Sequence, residues 1–223
     1  MRWAPEPEHL AEGHRAGLAA IGRELVPGLT ERFRDEYLAA WFEPGLVEEV
    51  EYPAQVRRLL GEFGIDVGDD ELARFLEAEH AAWSPARQLA ATTHALLETL
   101  RDRGLLLALV SNAIDPPDLL HRDLAEFGVA QRLDAAVFSS EVGRRKPDPV
   151  IFRHALGLLG VDASEALFVG DTLATDIAGA AALGMRTCLA LWFRADDDPD
   201  GPEPEFRAFT QMDVLMIAKR LRS

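Results

Sequence analysis

The first third of the chain shows only the spacing of apolar side chains that is typical of amphipathic helices. Helices are predicted over about residues 8–25, 30–42, 55–63 and 70–82, with Gly and Pro at the joins between them. No strand-like run of apolar residues interrupts this pattern. Residues 5–84 are therefore predicted to form a small helical bundle.

From about Ser84 onward, short continuous apolar runs alternate with helical periods. Leu105 to Val110 is apolar throughout, as expected of a strand buried on both faces of a parallel sheet. Further strands are predicted at 135–138, 166–169 and 186–191, and helices at about 89–100, 117–127, 149–159 and 175–183. This alternation predicts a doubly wound, Rossmann-like α/β domain over residues 85–223, with its active site at the carboxyl ends of the strands.

Composition excludes several classes of function. The 38 acidic and 23 basic residues give a formal net charge of −15, so the average surface repels nucleic acid and anionic membranes. Cys188 is the single cysteine, which leaves no intramolecular disulfide and no cysteine-rich zinc site. Apolar runs fall far short of the roughly 20 residues that a membrane-spanning helix needs. A compact cytoplasmic protein is expected, and nothing in the sequence indicates its oligomeric state.

Polar residues of a particular kind follow three of the predicted strands. Ser111 and Asn112 follow the first, Lys146 follows the second, and Asp171 and Asp176 follow the third. Two carboxylates without His or Cys suit Mg²⁺, while a hydroxyl, an amide and an ammonium suit a phosphoryl group. Each feature also has an ordinary explanation, because Ser-Asn and Gly-Asp occur in turns and Asp176 can complement a helix dipole.

Nucleophilic catalysis by Ser111 is not indicated. No Gly-x-Ser-x-Gly sequence surrounds it, and none of the six histidines has an evident catalytic partner. The histidines fall mostly on predicted helices, where a packed or solvated role is expected. Lys146 precedes a proline, which favours an extended backbone and lets the ammonium point at the strand ends.

Taken together, the order of these segments resembles the second, third and fourth motifs of the haloacid dehalogenase superfamily. The segments are strand-Ser-Asn, Gly-Arg-Arg-Lys-Pro-Asp-Pro, and strand-Gly-Asp-Thr-Leu-Ala-Thr-Asp, and the helical bundle is similar to the cap of that family. The resemblance implies that Ser111 and Asn112 hold the transferring group, that Lys146 stabilises negative charge, that Asp171 binds Mg²⁺ and that Asp176 supports it.

The same resemblance implies a phosphatase acting on a small phosphate ester through an aspartyl-phosphate. Dehalogenating relatives usually carry serine where this chain has Asp171, so phosphatase is favoured over 2-haloacid dehalogenase, which stays an alternative. Substrate identity is not predicted. Trp3, Trp41 and Phe42 are candidates for lining a substrate pocket, although packing is the commoner role of such residues.

One part of the family pattern is missing from the chain. Family members begin with a strand that ends in the nucleophilic aspartate, whereas this chain passes from Met1 directly into the bundle. The sequence Ile65 to Asp69 imitates the motif but lacks a preceding strand. We expect Met1 to be an internal methionine behind a lost strand and the 223 residues alone to be inactive; a catalytically inactive binding protein is the other alternative.

Overall fold

The computed structural model describes residues 7–41, 45–83, 89–192 and 201–221. Its first part consists of helices, connected by turns and loops. Their bounds are Pro7–Ala20 (α1), Leu29–Arg32 (α2), a wider helical turn at Phe33–Leu38, Ala39–Trp41 (α3), Tyr52–Glu62 (α4) and Asp69–Trp83 (α5). The boundary predicted between residues 84 and 85 lies outside the described residues, as do Trp3 and Phe42.

Helices α1 and α5 form the main packing contact of the bundle, because two glycines allow aromatic rings to approach the α1 backbone. A Cβ atom at Gly17 would lie 2.8 Å from the ring of Phe75, and one at Gly13 would overlap the indole of Trp83. Trp83 Nε1 also donates a hydrogen bond of 2.9 Å to the carbonyl of His9. Trp41 is buried in the same bundle, where its indole donates to Gln55.

A cluster of polar side chains lies inside this apolar bundle. The hydroxyl of Tyr52 donates to Glu79 Oε2 at 2.6 Å, and His14 Nδ1 lies 2.9 Å from the hydroxyl of Thr30. His14 Nε2 and Glu79 Oε1 face each other at 3.6 Å. Burial raises the pKa of Glu79 to about 8 and lowers the pKa of His14 to about 4. At neutral pH this pair therefore holds one proton.

The second part of the chain alternates helices and strands. Its helices are Thr93–Asp102 (α6), Pro117–Glu126 (α7), Ser139–Val142 (α8), Pro149–Leu159 (α9), Ala178–Ala182 (α10) and Gln211–Leu221 (α11), with a wider helical turn at Leu173–Ile177 before α10 and short 3₁₀ turns at Ala130–Arg132 and Ala163–Glu165. Its strands are Ala108–Ser111 (β1), Ala135–Phe138 (β2), Leu167–Gly170 (β3), Arg186–Ala190 (β4) and Phe206–Ala208 (β5).

The predicted α/β class and parallel pairing are confirmed, and the described strands form two sheets. β1 pairs with β2, and β3 pairs with β4, which pairs with β5, all in parallel. β1 and β3 thus each have one edge without a strand partner among the described residues. No residue of either strand is fully buried, whereas four of the five residues of β4 are. The strands that face the gap between the sheets are therefore incompletely covered.

Strand β5 and helix α11 extend the α/β part beyond the last predicted element. β5 has three residues, too few for a periodic pattern. No helix among the residues described is both long enough and apolar enough to cross a membrane.

The buried pair in the bundle leads to a prediction about pH. Between pH 6.5 and 8 the folded chain keeps a proton on Glu79 or His14, whereas the unfolded chain, in which the pKa of His14 is 6.5, loses its last proton from the pair. The free energy of unfolding must then fall as pH rises, by at most about 1.4 kcal/mol per pH unit from this pair. Between pH 4.5 and 6.5 the folded pair and the unfolded pair each hold one proton, so their contributions cancel.

We expect Glu79→Gln to remove this slope between pH 6.5 and 8, since glutamine does not titrate. Urea unfolding at half-unit pH intervals measures it, and Glu24→Gln, at an exposed glutamate outside the cluster, is the control. An unchanged slope in Glu79→Gln would show that the pair does not retain its proton.

Candidate active site

The three segments singled out in the sequence meet where the parallel strands end. β1 ends at Ser111 and β3 ends at Gly170, while Lys146 lies in the loop between α8 and α9. Asp148 caps the N-terminus of α9, because its side chain accepts a hydrogen bond of 2.8 Å from the backbone N–H of Val150. The peptide bond between Lys146 and Pro147 is cis. The start of α9 thus fixes the loop that carries the lysine.

The ammonium of Lys146 connects the two sheets. Lys146 Nζ donates to the carbonyl oxygen of Val110 in β1 at 3.0 Å and lies 2.7 Å from Asp176 Oδ1. It also lies 5.7 Å from the ring centroid of Phe168 in β3. The side chains of Lys146 and Asp176 are only 12% and 5% exposed, so this is a buried ion pair. Lys146 therefore points at the strand ends, as predicted from the proline that follows it.

Asn112 fixes the backbone at Lys146. Its Oδ1 accepts from the N–H of Lys146 at 2.7 Å, and its Nδ2 donates to the carbonyl of the same residue at 3.1 Å. The side-chain amide thus makes the two hydrogen bonds that a paired backbone would make, and it joins the loop after β1 to the loop after α8. In this geometry Asn112 serves first to place the lysine.

Asp176 organises the turn that follows β3. Its Oδ2 accepts hydrogen bonds from the backbone N–H groups of Asp171 at 3.0 Å and of Thr172 at 3.1 Å. Gly170 makes this possible, because a Cβ atom there would lie within 2.4 to 2.6 Å of the Asp176 side chain. Oδ1 of Asp176 pairs with the ammonium of Lys146, and Oδ2 accepts the hydrogen bonds of the turn, so both oxygens have a partner.

Asp171 presents the other carboxylate at the end of β3. It is half-buried, and the hydroxyl of Thr172 lies 3.4 Å from its Oδ1. In the described part of the chain, no group of three or more His, Cys, Asp or Glu side chains is arranged to hold a metal ion by itself. A pair of carboxylates without a His or Cys ligand suits a cation such as Mg²⁺, which keeps several waters, better than zinc.

Two further residues shape the site and were not singled out in the sequence. Ser139 is fully buried, and its hydroxyl accepts from the N–H of Ala113 at 2.8 Å and donates to its carbonyl at 3.2 Å. Thr172 contributes through its backbone. The sequence Gly-Asp-Thr in the fourth motif could have pointed to Thr172. Nothing in the sequence could have pointed to Ser139, which lies 28 positions after Ser111. Ser111 lies at the end of β1, next to Asn112, opposite Phe138 of β2.

Known proteins similar in sequence to this chain are haloacid dehalogenase-like hydrolases. The sequence profile of the haloacid dehalogenase-like hydrolases matches residues 8–184. A phosphoserine phosphatase from Thermus thermophilus is 36% identical over 92% of this chain and 76% of its own length. A phosphoglycolate phosphatase from Cupriavidus necator is 41% identical over 48% of this chain and 44% of its own length.

Solved structures agree at the level of the fold. A 2-haloacid dehalogenase from Pseudomonas syringae superposes with a TM-score of 0.65 over 95% of this chain and 91% of its own, at 24% identity. Because this identity is low, the similarity describes the fold alone. The profile match covers most of the chain, and the Thermus relative spans nearly all of it. The chain belongs to the haloacid dehalogenase-like hydrolases, and its curated relatives favour a phosphatase.

Proposed function

We propose that this chain is the main part of a Mg²⁺-dependent phosphomonoesterase that acts on a small phosphorylated metabolite through an aspartyl-phosphate. The observation that carries the proposal is the convergence of Lys146, Asp171 and Asp176 at the ends of strands from two sheets. A buried ammonium beside two carboxylates can bind a phosphoryl dianion once a cation balances the charge.

The residues divide into two roles under this proposal. Lys146 contacts the phosphoryl group, together with the Ser111 hydroxyl and N–H groups of its turn. Asn112 and Asp176 hold Lys146 in place, since the amide binds its backbone and the carboxylate binds its ammonium. Such pre-organised charge stabilises a transition state without reorganisation during the reaction.

Asp171 is the proposed direct ligand of Mg²⁺. Asp176 supports the metal site indirectly, because its Oδ2 fixes the N–H groups of Asp171 and Thr172. The bound cation would neutralise charge on the phosphoryl oxygens.

The nucleophile is proposed to come from a strand that lies between β1 and β3. Among the described residues, β1 and β3 each have one edge without a strand partner, and neither strand contains a buried residue. A parallel strand there would satisfy both edges, and an aspartate at its carboxyl end would lie beside Lys146. We propose that such a strand supplies the nucleophile and that residues 1–223 are inactive without it.

The metal proposal is tested by Asp171→Asn, which removes the charge and keeps the shape. We expect Mg²⁺ binding, measured by isothermal titration, to weaken at least about tenfold, corresponding to about 1.4 kcal/mol. Asp66→Asn is the matched control, because Asp66 is an exposed carboxylate in the segment that only imitates the family motif. Equal Mg²⁺ affinity in Asp171→Asn and the control would rule out Asp171 as the ligand.

The nucleophile proposal is tested by comparing two forms of the protein. Residues 1–223 should release no phosphate from phosphoserine, phosphoglycolate or 4-nitrophenyl phosphate above the level of Lys146→Ala. A form extended upstream by an apolar strand ending in Asp-x-Asp-x-Thr should release phosphate in the presence of Mg²⁺, and conversion of its first aspartate to asparagine should abolish this.

The same assays decide between the alternative functions. No phosphate release from the extended form would contradict the phosphatase proposal and favour a binding protein. Chloride release from 2-chloropropionate that persists in EDTA and in Asp171→Asn would favour a dehalogenase.

A further inference from the structure

The helical bundle is fastened to the loop that follows β1 by a buried histidine. His80, near the end of α5, places Nδ1 2.7 Å from Asp115 Oδ1 and Nε2 3.1 Å from Asp123 Oδ2. Asp115 lies in the loop between β1 and α7, and Asp123 lies in α7. The histidine side chain is 3% exposed. A residue of the bundle is therefore held by two residues of the α/β part.

Both ring nitrogens of His80 face carboxylate oxygens. An ionised carboxylate only accepts hydrogen bonds, so a ring whose two nitrogens each face a carboxylate carries a hydrogen on both. A buried cation is tolerated when it is paired in this way, and removing either partner leaves an uncompensated charge. The carboxylates lie at opposite nitrogens of the ring, so this cluster is an ion triad and not a metal site.

The loop held by His80 is the one that carries the site residues. Asp115 follows Asn112 by three positions, and between them Ile114 packs against the hydrophobic core of the bundle. At the other side of the loop, Ser139 binds Ala113 through both its N–H and its carbonyl. The loop after β1 is thus held between the bundle and the start of α8.

Two further charged groups lie near His80 on the same helices. Glu79, its neighbour on α5, binds Tyr52, faces His14 inside the bundle and is electrostatically coupled to Asp115. Arg122 of α7 binds Glu77 of α5 at 2.7 Å on the exposed side of the same interface.

The bundle also touches the loop that carries Lys146. The N–H of Arg145 donates to the carbonyl of Val47 at 2.8 Å, and the N–H of Glu49 donates to the carbonyl of Gly143 at 3.1 Å. The guanidinium of Arg145 donates to the carbonyl of Trp41 at 3.2 Å. Both loops joined by Asn112 are thus attached to the bundle, one through His80 and one through Arg145.

We propose that His80 is a positioning residue of the active site: its imidazolium, held by the bundle, fixes Asp115 and thereby places Ser111 and Asn112 for phosphoryl binding. This proposal rests on the proposed phosphatase function. It assigns the bundle a part in ordering the phosphoryl site itself, in addition to any contact with substrate.

The test compares His80→Gln with His121→Gln in the full chain. His121 makes a similar contact, with Nε2 2.7 Å from Glu141 Oε1, but on the surface and within the α/β part. Binding of inorganic phosphate with excess MgCl₂ and backbone hydrogen exchange of residues 111–115 are the two readouts. Imidazole ¹⁵N shifts of wild type report whether both nitrogens of His80 carry hydrogens near pH 7.

In His80→Gln we expect phosphate to bind about tenfold more weakly and residues 111–115 to exchange about tenfold faster. Exchange in α1 and α4 should be unchanged, which separates local positioning from general destabilisation. Because His80 and Asp115 are proposed to act as a pair, the double variant His80→Gln with Asp115→Asn should bind phosphate no more weakly than Asp115→Asn alone. His121→Gln should match wild type in both readouts.

Unchanged exchange of residues 111–115 in His80→Gln, faster exchange throughout the chain, or a neutral His80 in the ¹⁵N spectrum would each overturn the proposal. Failure of wild type to bind phosphate would instead count against the phosphatase function. The exchange and ¹⁵N measurements would then still decide the role of His80.

Discussion

The arrangement of the site depends on how the buried ammonium of Lys146 is paired. An unpaired ion in a protein interior costs several kcal/mol, so the surrounding backbone must supply partners. β1 supplies the carbonyl of Val110, and the turn after β3 supplies the carboxylate of Asp176. The two sheets share no strand pairing among the described residues, yet this one side chain contacts both. The ammonium therefore links the end of β1 to the turn after β3.

Each partner of Lys146 is in turn held by something else. Asp176 can reach the ammonium because Gly170 leaves room for its side chain, and its second oxygen binds two backbone N–H groups. Asn112 fixes the lysine backbone, and Ser139 fixes the residue after Asn112. These contacts are polar, short and part-buried, which restricts the chain to one arrangement more strongly than apolar packing would. The position of the Lys146 ammonium is thus set by a network of hydrogen bonds.

Local signals allowed most of the fold to be predicted, and long-range polar pairs account for what was not. Strand β2 and helix α9 were predicted at their observed bounds, because Asp148, Pro149 and Gly160 mark the two ends of α9. His80 was expected to be merely packed or solvated, since its partners Asp115 and Asp123 lie 35 and 43 positions along the chain. Glu79 has the same explanation: a charged residue on an amphipathic helix is expected on the solvated face, and only the tertiary fold places it beside Tyr52 and His14.

The charge of the whole molecule shows why such a network is needed for binding an anion. With a net charge of −15, the average field opposes the approach of a phosphate dianion. Within the site, Lys146 is already paired with Asp176, and Asp171 adds a further negative charge, so the side chains described there carry a net charge of −1. A phosphate ester can be held only if N–H groups of the strand-end turns and a divalent cation add positive potential. Under the proposed function, the carboxylates that repel the substrate would also recruit the cation, so phosphate binding and metal binding would depend on each other at this site.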